Sequence, residues 1–186
     1  MKGILRRSVA DLAALLPALE SFEPSLTRLG EALIRAWDNK GKALLAGNGG
    51  SAADAMHLAE EFVVRFHKNR RALPAIALLD PTALSCAGND FGFDSVFARQ
   101  VEAFAQPGDV FICFTTSGNS ANIVRAIETA KARGAVTAAF LGKDGGKAKG
   151  LCDIEFIIPS DSTARIQEAH QVLYHALCEW VDQRVD

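Results

Sequence analysis

The chain has 186 residues, 49% apolar and 23% charged, with a net charge of −2. That length suits one domain with a full core and no staples, and the composition is that of a soluble globular protein. The charge balance excludes the electrostatic footprint of a nucleic-acid binder.

Lys2, Arg6 and Arg7 open the chain, but the apolar stretch after them is broken by Asp11, Pro17 and Glu20, which predicts no signal peptide. No segment is long enough to span a bilayer, and a cytoplasmic location is expected. The first forty residues read as two helices. Ile4, Val9, Leu12, Leu15, Leu16 and Leu19 recur at helical spacing, and Pro24 marks a break before Leu26, Leu29, Leu33 and Ile34. This apolar surface fits packing against another subunit or against the chain's own sheet.

From Lys42 onward strand and helix alternate. Apolar runs lie at 43–46, 74–79, 110–114, 136–141 and 154–158, with helical stretches near 51–66, 94–105, 120–133 and 162–183. Gly134 stands where a helix C-cap belongs, and Pro107-Gly108 makes a turn before the third strand. Continuous apolar strands separated by helices imply an α/β fold, with a parallel sheet covered on both faces and ligands beyond the strands' carboxyl ends.

Two polar loops occupy such ends, Gly47-Asn48-Gly49-Gly50-Ser51 and Thr115-Thr116-Ser117-Gly118-Asn119-Ser120. Each joins a strand to a helix, so free backbone N–H groups and the positive helix end form an anion site. The hydroxyls of Thr115, Thr116, Ser117 and Ser120 suit phosphate oxygens. Ser51 with Asp54 resembles a capping box. His57 and Glu61, four apart on one helical face, can meet one metal ion, although the same spacing also makes ordinary surface pairs. Gln167 and His175 lie two turns apart on roughly one side of the last helix. A metal ligand and a satisfied core histidine are both open readings for His175.

Asn89 and Asp90, in a glycine-flanked loop, can accept sugar hydroxyl protons or simply form a turn, and Asp94 is expected to cap the next helix. His67 and His170 read as surface residues. Lys68-Asn69-Arg70-Arg71 reads as a solvated loop or an anion-steering patch. Asp144-Gly145-Gly146-Lys147 reads as turn chemistry. Cys86, Cys113, Cys152 and Cys178 form no C-x-x-C pair and have mostly apolar neighbours, which predicts buried, reduced thiols.

Five ordered segments resemble the sugar isomerase (SIS) domain family and, within it, the phosphoheptose isomerases. They are Gly47 to Ser51; Asp54-Ala55-Met56-His57-Leu58-Ala59-Glu60-Glu61; Gly88-Asn89-Asp90-Phe91-Gly92; Thr116-Ser117-Gly118-Asn119-Ser120-Ala121-Asn122; and Ala164-Arg165-Ile166-Gln167-Glu168 with His175. The resemblance covers nearly the whole chain. It implies a three-layer αβα sandwich with a five-stranded parallel sheet, preceded by N-terminal helices (1–40) placed in the interface of a homotetramer. It further implies His57, Glu61, Gln167 and His175 as ligands of one Zn2+ per subunit. Asn48, Gly49, Gly50, Ser51, Asn89, Asp90 and Gln167 become substrate contacts, with Thr115, Thr116, Ser117 and Ser120 as the phosphate cradle.

The activity implied is aldose–ketose isomerisation of D-sedoheptulose 7-phosphate to D-glycero-D-manno-heptose 7-phosphate, the first step toward nucleotide-activated heptose. Glu61 is expected as carbon base and His175 as oxygen acid/base. Thr115 replaces the family's usual Ser and keeps its hydroxyl; Phe114 is bulkier than the usual aliphatic residue. Arg65, one turn beyond Glu61, is read as substrate-facing or as a surface arginine. The family also holds a non-catalytic protein that binds the bacterial replication initiator, sugar-phosphate-sensing modules and isomerases of other phosphosugars. These are the alternatives.

Overall fold

The computed structural model describes residues 3–186; Lys2 lies outside the described residues. Two helices come first, α1 (Ile4–Leu19) and α2 (Glu23–Asp38), joined by a 3-10 turn at Glu20–Phe22. The break therefore falls before Pro24, which sits in the first turn of α2 where its missing N–H costs nothing. Five strands follow, β1 (Ala43–Gly47), β2 (Ala75–Ala77), β3 (Val110–Thr115), β4 (Val136–Gly142) and β5 (Ile154–Ile158). They pair in the order β2-β1-β3-β4-β5, every pair parallel. The remaining helices are α3 (Gly50–Val63), α4 (Pro81–Phe91), α5 (Val96–Phe104), α6 (Ala121–Ala132) and α7 (Thr163–Asp182).

Alternation along each strand divides the core in two. Leu45, Ile112, Phe114, Phe140 and Phe156 face α2, α3 and α7, while Leu44, Ala46, Phe111, Cys113 and Leu141 face α4, α5 and α6. The sheet is thus covered on both faces, as the apolar runs require. Phe114 stacks on Phe140 at 4.7 Å between ring centroids, and Phe140 on Phe156 at 4.5 Å. The bulk of Phe114 thus builds an aromatic row behind the second polar loop. Gly134 (φ 76°) closes α6, with its N–H donating to Lys131 O and that of Ala135 to Ala130 O.

The N-terminal helices divide their roles. α2 buries Leu26, Leu29, Leu33 and Trp37 in the core, whereas α1 lies on α7 and leaves Ile4, Leu5, Val9 and Leu16 exposed. Arg165 of α7 donates to the Ser8 carbonyl at 2.7 Å and ties α1 down.

Several local expectations change. The segment around Asn89 and Asp90 is helical: Asp80 caps α4 by accepting from the Ala83 N–H, and Pro81 occupies its first turn. Asp94 lies in a 3-10 turn, Phe93–Ser95, and caps nothing. α3 starts at Gly50 with no side-chain cap, so Ser51 and Asp54 form no capping box. That helix ends at Val63, ahead of Arg65, because its last carbonyls find other donors. Arg70 donates through Nη2 to Glu61 O and through Nη1 to Phe62 O, and the Leu73 N–H also donates to Phe62 O.

Arg70 is accordingly no part of a solvated run: its side chain is 1% exposed and paired with Asp182, itself 4% exposed. His170 is likewise fully buried, against the expectation of a surface residue, and its Nε2–H donates to Leu141 O at 3.0 Å. Burial drives its pKa down to about 4, only partly opposed by that hydrogen bond. Cys113 and Cys178 are buried and Cys152 half-buried, but Cys86 is exposed on α4; all four are free thiols. Among the described residues no helix is long and apolar enough to cross a membrane.

Candidate active site

Both polar loops emerge at the carboxyl ends of neighbouring strands, β1 and β3, and lead into α3 and α6. Between them lies a cavity of about 90 Å³ lined by Asn48, Ser51, Phe114, Thr115, Thr116, Ser117 and Ser120. The loops are held to each other by reciprocal amide hydrogen bonds. Asn48 Nδ2 donates to Asn122 Oδ1 at 3.0 Å, and Asn122 Nδ2 to Asn48 Oδ1 at 2.9 Å. Asn122 is 2% exposed, so this pairing sets the loop spacing from within the protein. Gly118 (φ 63°) is obligatory: a Cβ there would stand 1.8 Å from the Gly145 carbonyl oxygen. The Asp144–Lys147 turn therefore buttresses the cradle. Two helix N-termini and five hydroxyl side chains, those of Ser51, Thr115, Thr116, Ser117 and Ser120, suit a phosphate-sized anion.

Further down α3, His57 and Glu61 meet at 3.1 Å between Nε2 and Oε1. α7 brings His175 against them, its ring centroid 5.1 Å from that of His57. One donor atom from each of His57, Glu61 and His175 lies within 4.8 Å of the others. His175 Nε2 is buried without a hydrogen-bond partner. Two imidazoles, a carboxylate and an orphaned ring nitrogen fit a divalent transition metal such as zinc. Burial first, and then the neighbouring His57, push the His175 pKa below the ordinary imidazole value against the pull of Glu61. His175 is thereby kept as a neutral imidazole. Gln167 stands two turns earlier on α7 with its amide over Gly50; a Cβ on that glycine would meet Gln167 Nε2 at 2.4 Å. It borders the first loop; among the His, Cys, Asp and Glu side chains the close cluster consists of His57, Glu61 and His175.

Asn89 and Asp90 do not line the cavity. They sit exposed at the end of α4, where Asn89 Nδ2 donates to Asp90 Oδ1 at 2.7 Å and Cys86 Sγ lies 3.4 Å from Asp90 Oδ2. Arg65 is exposed, past the end of α3.

Two residues lie beside the cluster in roles that spacing did not indicate. Tyr174 Oη lies 3.0 Å from His57 Nδ1, and its ring packs edge-on to both His57 and His175. Its one sequence mark is being the single tyrosine of the chain. Burial, and then the Asp54 carboxyl, raise the Tyr174 pKa, so it stays a neutral hydroxyl. Asp54, one turn before His57, holds a buried Oδ2 with no partner. Burial outweighs the attraction of His57 and raises its pKa to about 6.

A carboxyl that holds its proton more tightly when folded loses stability as pH rises from its unfolded value of 3.8 to about 6. Asp54→Asn abolishes that loss. In the metal-free protein its melting temperature, relative to the parent, is expected to climb between pH 4 and 6 and stay level above. A difference independent of pH would contradict the raised carboxyl.

Comparison with known proteins agrees with this geometry. The sequence profile of the SIS domain matches residues 9–142. The phosphoheptose isomerase of Nitratiruptor sp. is 56% identical over 151 residues, 81% of each chain. That of Aquifex aeolicus is 48% identical over 186 residues, 100% of this chain and 96% of its own. The solved phosphoheptose isomerase of Neisseria gonorrhoeae has a TM-score of 0.89 at 38% identity, covering 96% of this chain and 97% of that one. The matched profile, these identities over most of the chain and the shared fold mean that the chain belongs to the SIS domain family, within its phosphoheptose isomerases.

Proposed function

We propose that the chain isomerises D-sedoheptulose 7-phosphate to D-glycero-D-manno-heptose 7-phosphate, the first step toward an activated heptose. The observation that carries this reading is the His57, Glu61 and His175 cluster, two turns along α3 from a hydroxyl-lined anion cavity. The helical rise from Ser51 to His57 is about 9 Å, comparable to an extended seven-carbon chain with its phosphate at one end and its carbonyl at the other.

The reaction moves one proton between C1 and C2 through an enediol and another between the two oxygens. Thr115, Thr116, Ser117 and Ser120, with Ser51, hold the phosphate. Asn48, Gly49, Gly50 and Gln167 contact the sugar; Asn89 and Asp90, exposed at the end of α4 and outside the cavity, are assigned to it on the family resemblance alone. Glu61 takes the proton from carbon and returns it on the same face. His175, neutral and half-buried, carries the oxygen proton, since an imidazole both accepts and donates near neutral pH. His57, Glu61, Gln167 and His175 would hold a zinc ion, which when bound would supply Lewis-acid polarisation of the carbonyl.

The exposed Ile4, Leu5, Val9 and Leu16 of α1 support the assignment of residues 1–40 to a subunit interface, and a homotetramer is the assembly we assign. A zinc enzyme with free thiols and no membrane-crossing helix among its described residues fits the cytoplasm.

The test is incubation with sedoheptulose 7-phosphate while aldose formation is followed, before and after chelation and after zinc is restored. Conversion is expected to fall to a few per cent or less on chelation and to return with zinc. No conversion by the folded, zinc-loaded protein would overturn the substrate assignment and turn attention to other phosphosugars or to a replication-initiator partner.

A further inference from the structure

We propose that Tyr174 is a positioning residue for the metal centre: its hydroxyl fixes the ring of His57 so that Nε2 faces Glu61 and His175. The proposal rests on the reading of His57, Glu61 and His175 as metal ligands. Its grounds are geometric. Tyr174 is 1% exposed, and its Oη reaches His57 Nδ1 at 3.0 Å from across the α3–α7 interface. No other hydrogen bond reaches that nitrogen among the described residues. The opposite ring nitrogen, Nε2, is 3.1 Å from Glu61 Oε1. The two contacts pin both ends of one imidazole and leave no free rotation about its χ2.

The hydroxyl suits both states that a ligand histidine must adopt. Without metal, the Glu61 carboxylate only accepts, so Nε2 carries the hydrogen and Nδ1 accepts from Tyr174 O–H. A metal-binding Nε2 must instead offer its lone pair, which moves the ring hydrogen to Nδ1. Tyr174 oxygen then accepts from Nδ1–H. A carbonyl or carboxylate in this place would serve only the second state, and an ammonium only the first; a hydroxyl serves either. Partners of this kind on a ligand's other nitrogen set its tautomer and ring orientation, and losing them weakens metal affinity by about 10–100-fold.

Tyr174→Phe removes the oxygen and keeps the ring that packs on His57, His175 and Phe114. The experiment titrates the metal-free parent and this variant with Zn2+ against a competing chelator, and with Co2+ followed by its visible absorption. In parallel, long-range 1H–15N spectra of the metal-free proteins read the His57 tautomer. The variant is expected to fold like the parent by circular dichroism and to bind Zn2+ about 10–100-fold more weakly. Its Co2+ spectrum should change, and the His57 Nδ1 resonance of the metal-free protein should shift as the hydrogen bond from Tyr174 is lost, while Glu61 keeps the hydrogen on Nε2.

Zn2+ affinity within twofold of the parent, with an unchanged Co2+ spectrum, overturns the proposal. Should the parent itself take up no metal, the ligand reading fails, and the Nδ1 resonance of His57 decides on Tyr174 alone: a shift in the variant supports the hydroxyl contact and an unchanged resonance overturns it. Should Tyr174→Phe fail to fold, the parent's spectrum decides, because a protonated Nδ1 in the metal-free protein contradicts the arrangement.

Discussion

Replacing Glu61 with Gln is expected to lower turnover by about 10²–10⁴-fold, the contribution of a positioned general base. The substitution keeps the size of the side chain and removes its charge and basicity. Glu61 is 14% exposed and faces His57, while the core contacts of α3 come from Ala55, Leu58, Ala59 and Phe62. The fold therefore has little reason to respond. Two losses are possible in such a variant, proton abstraction and metal affinity, and they separate experimentally. Turnover is measured at saturating zinc with the bound metal quantified, together with exchange of the substrate's carbon-bound hydrogen into deuterium oxide. A fully loaded variant that neither isomerises nor exchanges identifies Glu61 as the base. Full turnover would move that role to another group. A rise in KM with turnover unchanged would make Glu61 a binding residue only.

The largest expected change in stability comes from Asp182→Ala. The Asp182 carboxylate accepts from the His67 and Lys68 N–H groups at 2.8 and 2.9 Å and from Arg70 Nε at 2.9 Å. Removing it leaves the Arg70 guanidinium buried without its counter-charge, which costs about 3–5 kcal/mol. For a chain of this length that corresponds to a fall in melting temperature of roughly 6–20 °C. The consequence reaches the site, because Arg70 also holds the carbonyl of Glu61. A melting temperature within a degree or two of the parent would show the guanidinium re-solvated and the pair dispensable.

The same carboxylate fixes a pH dependence. Burial pushes its pKa up, but the donors from Lys68, His67 and Arg70 together outweigh burial, and the net shift is downward. A depressed carboxylate contributes stability that is present above its unfolded value near pH 4 and is lost as pH falls through the folded one. Acid melts of Asp182→Ala should therefore lack this component. His170 acts in the next window: held neutral by burial, it withdraws stability as pH falls from its unfolded value of 6.5 to about 4.

What the amino-acid sequence determined by itself is the layer architecture and the two loops. Apolar runs of strand length, helical periodicity and Gly, Asn, Ser and Thr at loop positions are local properties, and a parallel sheet puts every strand's carboxyl end on one rim. That is why Asn48, Ser51 and Thr115 to Ser120 were legible as an anion site, and why His57 and Glu61, one turn apart, were legible as a pair. The ends of elements were less so. α3 stops at Val63 because Arg70 and Leu73 take its last carbonyls, and no periodicity records that. α4 was missed because Gly88, Asn89 and Asp90 carry turn propensity, which the Asp80 cap and packing on α5 override.

Tertiary structure alone decided which polar groups meet. Tyr174 and His57 are 117 positions apart, and Arg70 and Asp182 are 112 apart. Whether a histidine on an amphipathic helix meets the His57–Glu61 pair, like His175, or becomes a core donor, like His170, depends on rotation of that helix by a fraction of a turn against the sheet. Buried polar groups must find a partner wherever the packing provides one, so partner choice is set by the packed layers and not by spacing along the chain.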